Sequence, residues 1–262
     1  MDRIFKYLKY ETQNRIGFIT LNRPEKRNAL NADLVEELSL AFKKAETDDL
    51  VKVVVLKAEG KAFCAGADLE YLQQLSQNSY KENLEDSTNL KNLFYQIYTF
   101  KKIVVAQIKG HAIAGGAGLV TVVDFAFSVP EANFGFTEVK LGFIPALVLV
   151  FLIRKIGEGK AKELLLSGNL ISAETAKSVG LISKVVAPEE IEEAVLKFAT
   201  ESVNHTSSLS VSLTKELVIK SQNSSIEDAL NLACESNAKM RETEDFKKGV
   251  KAFLNKETPS WN

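Results

Sequence analysis

Cysteine and histidine are scarce in this sequence of 262 residues: two of each, with one tryptophan, two methionines and five prolines. Cys64 and Cys234 lie far apart with no paired spacing, which excludes a disulfide framework, and two histidines beside them do not make a zinc site. No metal is expected, and a reducing compartment is. Charge of one sign is missing too, since 33 Lys and Arg stand against 34 Asp and Glu for a net charge of −1. That balance leaves no electrostatic footprint for nucleic acid or an anionic membrane, so an anionic ligand has to be met by local charges. Long hydrophobic runs are absent as well. The longest, Ile144 to Ile153, contains Pro145 and stops at Arg154, well short of the ~20 residues that span a bilayer. The opening MDRIFKYLKY lacks the apolar core and small-residue cleavage site of a signal peptide. These absences predict a soluble, cytoplasmic protein whose length allows a substantial core without staples.

What is present is an α/β rhythm. Segments rich in β-branched residues at Ile16 to Leu21, Val51 to Leu56 and Ile103 to Ile108 alternate with stretches of helical spacing. Asn31 is placed to cap a helix in which Leu34, Val35, Leu38 and Phe42 recur on one face, with acidic residues outside. KAEGKAFCAGADLEYL reads as a small-residue loop entering a helix at Leu69, with Asp68 as its cap. The polar stretch Gln73 to Asn92 is either a mobile segment near a substrate mouth or a solvated helix. SAETAKSVG, from Ser172, reads as a capped helix ending at Gly180. Beyond Pro188 helices dominate, over Glu189 to Glu201, Ser210 to Lys220, Ile226 to Arg241 and Asp245 to Asn255. With no linker and no internal repeat visible, a division at 1–195 and 196–262 is soft.

Two glycine-bearing loops carry the chemistry. In FCAGADL, residues 63–69, small side chains leave the Ala67 N–H open to a ligand. In GHAIAGGAGL, residues 110–119, Gly115 and Gly116 open a helix whose positive end faces whatever binds there. Two such donors aimed at one oxygen would stabilise an oxyanion by roughly 3–4 kcal/mol each. Tight packing is the competing reading of either loop alone.

The ordered segments RPEKRNALN, KAFCAGADL, GHAIAGGAGL, NFGFTEVKLGFIP and SAETAKSVGLISKVV together resemble the enoyl-CoA hydratase/isomerase (crotonase) family over nearly the whole chain. The resemblance implies a spiral of β-β-α turns followed by a C-terminal helical trimerisation region, in homotrimers or hexamers built as dimers of trimers. It implies an acyl-CoA thioester as ligand and no cofactor apart from the CoA of the substrate. Ala67 and Gly115 match the two backbone donors that hold the thioester carbonyl. Lys26, Arg27, Ala29, Ala65, Asp68, Leu69 and Gly116 match the substrate and CoA side of the site. Phe253 and Lys256, in AFLNKE, match residues that the family brings in from a neighbouring subunit, although Phe253 by itself reads as core packing.

Family hydratases use two glutamates. Glu138 matches the second, whereas Gly118 stands where the first is expected. Asp68, Glu70 and Asp124 are nearby acids, but a helix cap and a turn-fixing role suit Asp68 and Asp124 better, and His111 reads as a packed, hydrogen-bonded histidine. VKLGFIPALVLVFLIRKIG departs from the glycine-rich form of many straight-chain hydratases and resembles a bacterial branch that includes proteins assigned as methylglutaconyl-CoA hydratases. The expected activity is therefore hydration of a short or branched 2-enoyl-CoA, or dehydration of the 3-hydroxyacyl-CoA, with Glu138 as the sole acid/base. The alternatives are isomerisation of a 3-enoyl-CoA to the 2-enoyl form and acyl-CoA binding without turnover.

Overall fold

The computed structural model describes residues 5–261; residues 1–4, which open the MDRIFKYLKY segment, and residue 262 lie outside it. Four successive β-β-α turns wind through the first two thirds of the chain. They are β1 (Leu8–Gln13), β2 (Ile16–Leu21) and α1 (Ala32–Thr47); β3 (Val53–Ala58), β4 (Ala62–Cys64), α2 (Leu69–Leu75) and α3 (Tyr80–Tyr98); β5 (Ile103–Ile108), β6 (His111–Ile113) and α4 (Gly115–Val122); and β7 (Phe125–Ser128), β8 (Asn133–Gly135), α5 (Ala146–Ile156) and α6 (Glu158–Ser167). The short β9 (Ile171–Ser172), α7 (Ala173–Ser178) and β10 (Lys184–Val185) follow. The chain finishes on α8 (Ile191–His205), α9 (Ser208–Ser221), α10 (Ile226–Glu242) and α11 (Glu244–Leu254).

Each of the second, third and fourth turns gives one strand to each of two sheets. The larger sheet has the order β1-β2-β3-β5-β7-β10 and the smaller β4-β6-β8-β9. Apart from β1 on β2 and β8 on β9, neighbouring strands run parallel. This is the spiral that the resemblance implies. The repeat is one of structure, because the apolar positions of each turn vary in identity while keeping their burial.

The elements form for local reasons. Val53 to Leu56 are buried throughout, as a parallel strand covered on both faces requires. Asn31 Oδ1 accepts the Leu34 N–H at 3.0 Å, and Leu34, Leu38, Ala41, Phe42 and Ala45 of α1 are wholly buried. One acid of α1 is not outside, as the spacing predicts, but inside: the Glu37 carboxylate accepts the N–H groups of Lys6 and Tyr7, both at 2.8 Å. The polar stretch after α2 is a solvated helix, α3. Its start is fixed by a capping box, with Ser79 N–H donating to Glu82 Oε2 at 2.7 Å and Glu82 N–H to Ser79 Oγ at 3.4 Å. The Val51 strand begins two residues late, because Val51 N–H closes a turn onto Asp48 O at 3.0 Å. Residue 195 falls inside α8, where Ile191, Val195 and Ala199 are buried in the same core as the sheets.

Candidate active site

The smaller sheet aligns the three chemistry-bearing positions. In the parallel pairing of β4 with β6, Cys64 lies opposite Ala112, so Ala67 and Gly115 each stand three residues beyond a matched pair. Next to them, β6 pairs with β8 with Ile113 opposite Gly135, and Glu138 stands three residues beyond Gly135. All three lie past the carboxyl ends of adjacent parallel strands, where open α/β sheets form their ligand crevices.

Backbone contact forces the two loops together. A Cβ added to Gly116 would lie 2.2 Å from Cys64 O, and one on Gly66 would lie 3.1 Å from Ile113 O, so side chains at these positions would separate the loops. Gly66 also has a φ of +91°, a conformation in which glycine is at ease. Leu30 is the common neighbour. Its N–H donates to Gly66 O at 2.6 Å and its O accepts from Asp68 N–H at 2.9 Å, leaving the intervening Ala67 N–H turned away from that ladder. The Leu30 side chain abuts Gly115, where an added Cβ would meet Cδ1 at 2.9 Å. Among the described residues neither Ala67 N–H nor Gly115 N–H has a backbone acceptor.

The helix behind Gly115 is built to keep that donor free. Its N-cap, Ala114, makes no side-chain cap bond, and no acid occupies the first turn, so the positive end of the helix has no internal counter-charge. Ala114 sits at φ 48° and ψ −119°, strain of the kind concentrated at functional sites. Three glycines in GGAGLVTV lower its helix propensity by about 3 kcal/mol relative to alanine, so burial and outside contacts hold α4 together.

Glu138 opens a short 3-10 turn, Glu138–Leu141, closed by Gly142 at φ 70°. Its side chain is half-buried, and the Oε2 atom is buried with no hydrogen-bond partner among the described residues. Burial raises its pKa above the ordinary glutamate range, since desolvation disfavours the charged form. A carboxyl that gains and loses a proton more readily near neutrality suits acid/base work. An ordinary surface carboxylate would have water as its partner, which a buried oxygen cannot reach freely.

The place of the missing glutamate is filled. Gly118 is buried on α4, and a Cβ there would lie 2.8 Å from Phe94 Cζ and 2.9 Å from Val148 Cγ2. Neither Asp68 nor Asp124 takes over. Asp68 caps α2, accepting the Glu70 N–H at 2.9 Å, and pairs with Arg23 at 2.6 Å in a buried contact. Asp124 accepts the Val104 N–H at 2.8 Å and the Lys215 ammonium at 2.5 Å. His111 is exposed rather than packed, with Nδ1 accepting the Asn133 N–H at 3.1 Å.

At the positions matched to CoA binding by resemblance, Lys26 is exposed and pairs with Glu70 at 2.5 Å. Arg27, exposed at φ 52°, is fixed through its O, which accepts the Ala65 N–H at 3.1 Å. Ala29 is buried, Ala65 half-buried and Leu69 exposed. Phe253 is 81% exposed, which overturns core packing, and Lys256 is exposed at φ 58°. Their helix is anchored elsewhere, with Asp245 bonded to Ser207 and the following Trp261 O accepting from Lys52 at 2.9 Å. Among the described residues no hydrogen bond or ion pair links either of them to Glu138. Arg23 and Asn28 escaped the sequence reading. Asn28 is fully buried at φ 54°, donates to Glu59 O and Ala62 O at 2.8 and 2.9 Å, and accepts Arg23 N–H at 2.8 Å. The tolerance of asparagine for this conformation was the available signal.

Two backbone N–H groups without acceptors and a buried carboxyl past the same sheet are the groups of an enzyme's active site. The chain belongs to the enoyl-CoA hydratase/isomerase family, whose profile matches residues 11–262. It is 42% identical to a Thermus thermophilus protein whose name assigns enoyl-CoA hydration provisionally, over 94% of this chain and 97% of that one. It is 33% identical to the crotonyl-CoA hydratase of Syntrophomonas wolfei, over 94% of each chain. The crystal structure of an enoyl-CoA hydratase from Mycobacterium smegmatis superposes with a TM-score of 0.91 at 30% identity, covering 97% of this chain and 98% of that one.

Proposed function

We propose that this enzyme adds water to a short or branched 2-enoyl-CoA, or removes it from the corresponding 3-hydroxyacyl-CoA, using one glutamate. The thioester oxygen is held by the N–H groups of Ala67 and Gly115, and the enolate formed at that oxygen is stabilised by the same donors. Glu138 activates water for C3 and returns a proton to C2. The observation that carries the reading is the buried, unpartnered Glu138 Oε2, set past the same sheet as two unpaired N–H groups. Lys26 and Arg27 meet the phosphates of CoA, with Ala29, Ala65, Asp68, Leu69 and Gly116 shaping the adjoining surface. The exposed Phe253 and Lys256 reach the site of a neighbouring subunit in a trimer or a hexamer of two trimers. No cofactor beyond the CoA of the substrate is required, and two unpaired cysteines suit work in the cytoplasm.

The Phe94 and Val148 contacts at Gly118 favour a second reading. One carboxylate with no partner suits removal of a proton from C2 of a 3-enoyl-CoA and its return at C4. Purified protein is incubated separately with crotonyl-CoA, 3-methylglutaconyl-CoA and 3-hexenoyl-CoA, and the products are followed by mass. Gain of one water from either conjugated thioester supports hydration. Isobaric conversion of 3-hexenoyl-CoA alone replaces it with isomerisation, and binding without change in any of the three defeats both.

A further inference from the structure

We propose that Lys155 is a positioning residue of the oxyanion hole, because it anchors the far end of the helix whose first N–H is that of Gly115. The Lys155 ammonium reaches from α5 to the C-terminal end of α4 and donates to Val123 O at 2.8 Å, Thr121 O at 3.2 Å and Val120 O at 3.3 Å. These are carbonyls that a helix leaves without internal partners. The inference rests on the reading of Gly115 as an oxyanion donor.

The need for such an anchor is visible in α4 itself. Three glycines and three β-branched residues in eight positions make a poor helix former. Two turns cannot sustain themselves without outside contacts, and the last turn carries no basic residue of its own. A cation at the negative end stabilises the helix and completes the dipole whose positive end faces the substrate oxygen. Slippage of α4 by a fraction of an ångström would misdirect the Gly115 N–H, and oxyanion donors act through placement.

Lys155 lies in the wall of a cavity of about 690 Å³ between α4, α5 and α9, so it can exchange its proton with solvent. The ionisable groups sharing that wall are Tyr98 of α3, Asp124, Arg154 of α5 and Lys215 of α9. Burial pushes the Lys155 ammonium down to about 8, against the opposing pull of Asp124. Asp124 is already committed to Lys215 at 2.5 Å, and Arg154 donates to Val150 O and to Asn223 Oδ1 at 2.8 and 3.0 Å. Loss of the Lys155 proton would leave the α4 carbonyls facing a neutral amine. The fold is not weakened by that loss. A lysine whose folded value is depressed binds fewer protons folded than unfolded between about 8 and 10.5, so its contribution to stability rises with pH across that window.

The test compares wild type, Lys155→Met and Lys155→Arg in kcat, KM and the carbonyl stretching frequency of a bound enoyl-CoA, which reports the pull of the oxyanion hole directly. Lys155→Met is expected to lose about tenfold in kcat, less than the 10²–10³ lost with a whole donor, with KM within about twofold. Its bound carbonyl shifts back toward the free thioester. Lys155→Arg keeps most of the activity and removes an alkaline decline that wild type shows above about pH 8. A folded Lys155→Met with wild-type kcat and carbonyl frequency overturns the inference. If that variant does not fold, wild type alone decides: a bound-carbonyl shift that stays flat from about pH 7 to about 9.5 overturns it, and one that decays supports it. A wild type that shows no carbonyl shift on binding defeats the oxyanion-hole reading itself, and the role of Lys155 with it.

Discussion

The end of the Phe94 ring lies where a side chain at position 118 would begin, since a Cβ on Gly118 would stand 2.8 Å from Phe94 Cζ. Phe94 is wholly buried and packs edge-on to Phe151, ring centroids 6.4 Å apart at 89°. Glycine at 118 is therefore half of a packing arrangement, with the Phe94 ring of α3 occupying the space a side chain there would need. Gly118→Ala should destabilise the protein by about 1–3 kcal/mol through overpacking, measured by chemical denaturation. Gly118→Glu, which also buries a charge among apolar side chains, should cost more and fail to add a second working acid. An active, stable Gly118→Glu enzyme with faster hydration would contradict the packing account.

Glu138→Gln should reduce kcat by about 10²–10⁴, the range for a positioned acid/base, while acyl-CoA affinity changes little because the backbone donors remain. Stability should move the other way. The folded pKa of Glu138 is raised by burial, so its contribution is intact below the ordinary glutamate value and is lost as pH rises through the folded one. At neutral pH the buried charge is a penalty that glutamine does not carry. Melting temperatures of the two proteins should agree at acidic pH, and the variant should be the more stable near pH 7. A variant less stable than wild type at both would show that Glu138 serves the fold.

The two loops that meet beside Leu30 were legible in the sequence as glycine and alanine past short apolar strands, a signal that either loop alone shares with ordinary tight packing. The helices were legible from apolar spacing and caps, Asn31 and Ser172 among them. The occupant of the Gly118 space was not legible, since Phe94 lies 24 residues earlier in the sequence, on a helix that reads as polar. The burial of Glu37 escaped for a related reason: its partners are the N–H groups of Lys6 and Tyr7, and backbone groups leave no residue-type signature. The role of Lys155 was not legible either, because its three carbonyl acceptors lie at the end of a different helix and carry no residue-type signature.

Asp68 should prove structural in a way that shows in catalysis. Burial alone would raise its pKa, but the Arg23 guanidinium and the α2 N–H groups hold it below the ordinary 3.8. A depressed folded value means that the stabilisation is present above 3.8 and is lost as pH falls through the folded value. Asp68→Asn should cost about 3–5 kcal/mol at neutral pH, because it leaves Arg23 buried without its partner. Its stability should also vary less with pH below 4 than that of wild type. The neighbouring Ala67 N–H would lose its fixed direction, so kcat should fall as well. Equal acid sensitivity in both proteins would rule out the pair as the source.

Ala114 gives the sharpest separation of stability from function. Its φ of 48° and ψ of −119° place a Cβ in a region that costs on the order of 1–3 kcal/mol for residues other than glycine. Ala114→Gly removes that strain but adds chain entropy to the unfolded state, worth roughly 0.4–1 kcal/mol in the other direction. The balance favours the variant, and a gain of about 1 kcal/mol is expected in denaturant unfolding. Activity should not rise with it. Ala114 N–H donates to Gly135 O at 2.7 Å and its O accepts from Gly118 N–H at 2.9 Å, so the backbone that aims Gly115 is tied on both sides of the residue, and its methyl lies 3.0 Å from where a Cβ on Gly66 would stand. Removing the methyl opens the space between the two loops beside Gly66 while leaving the hydrogen bonds intact. A more stable enzyme with unchanged or slightly lower kcat is the expected result. A less stable one would mean that the packing of the methyl beside Gly66 outweighs the backbone strain.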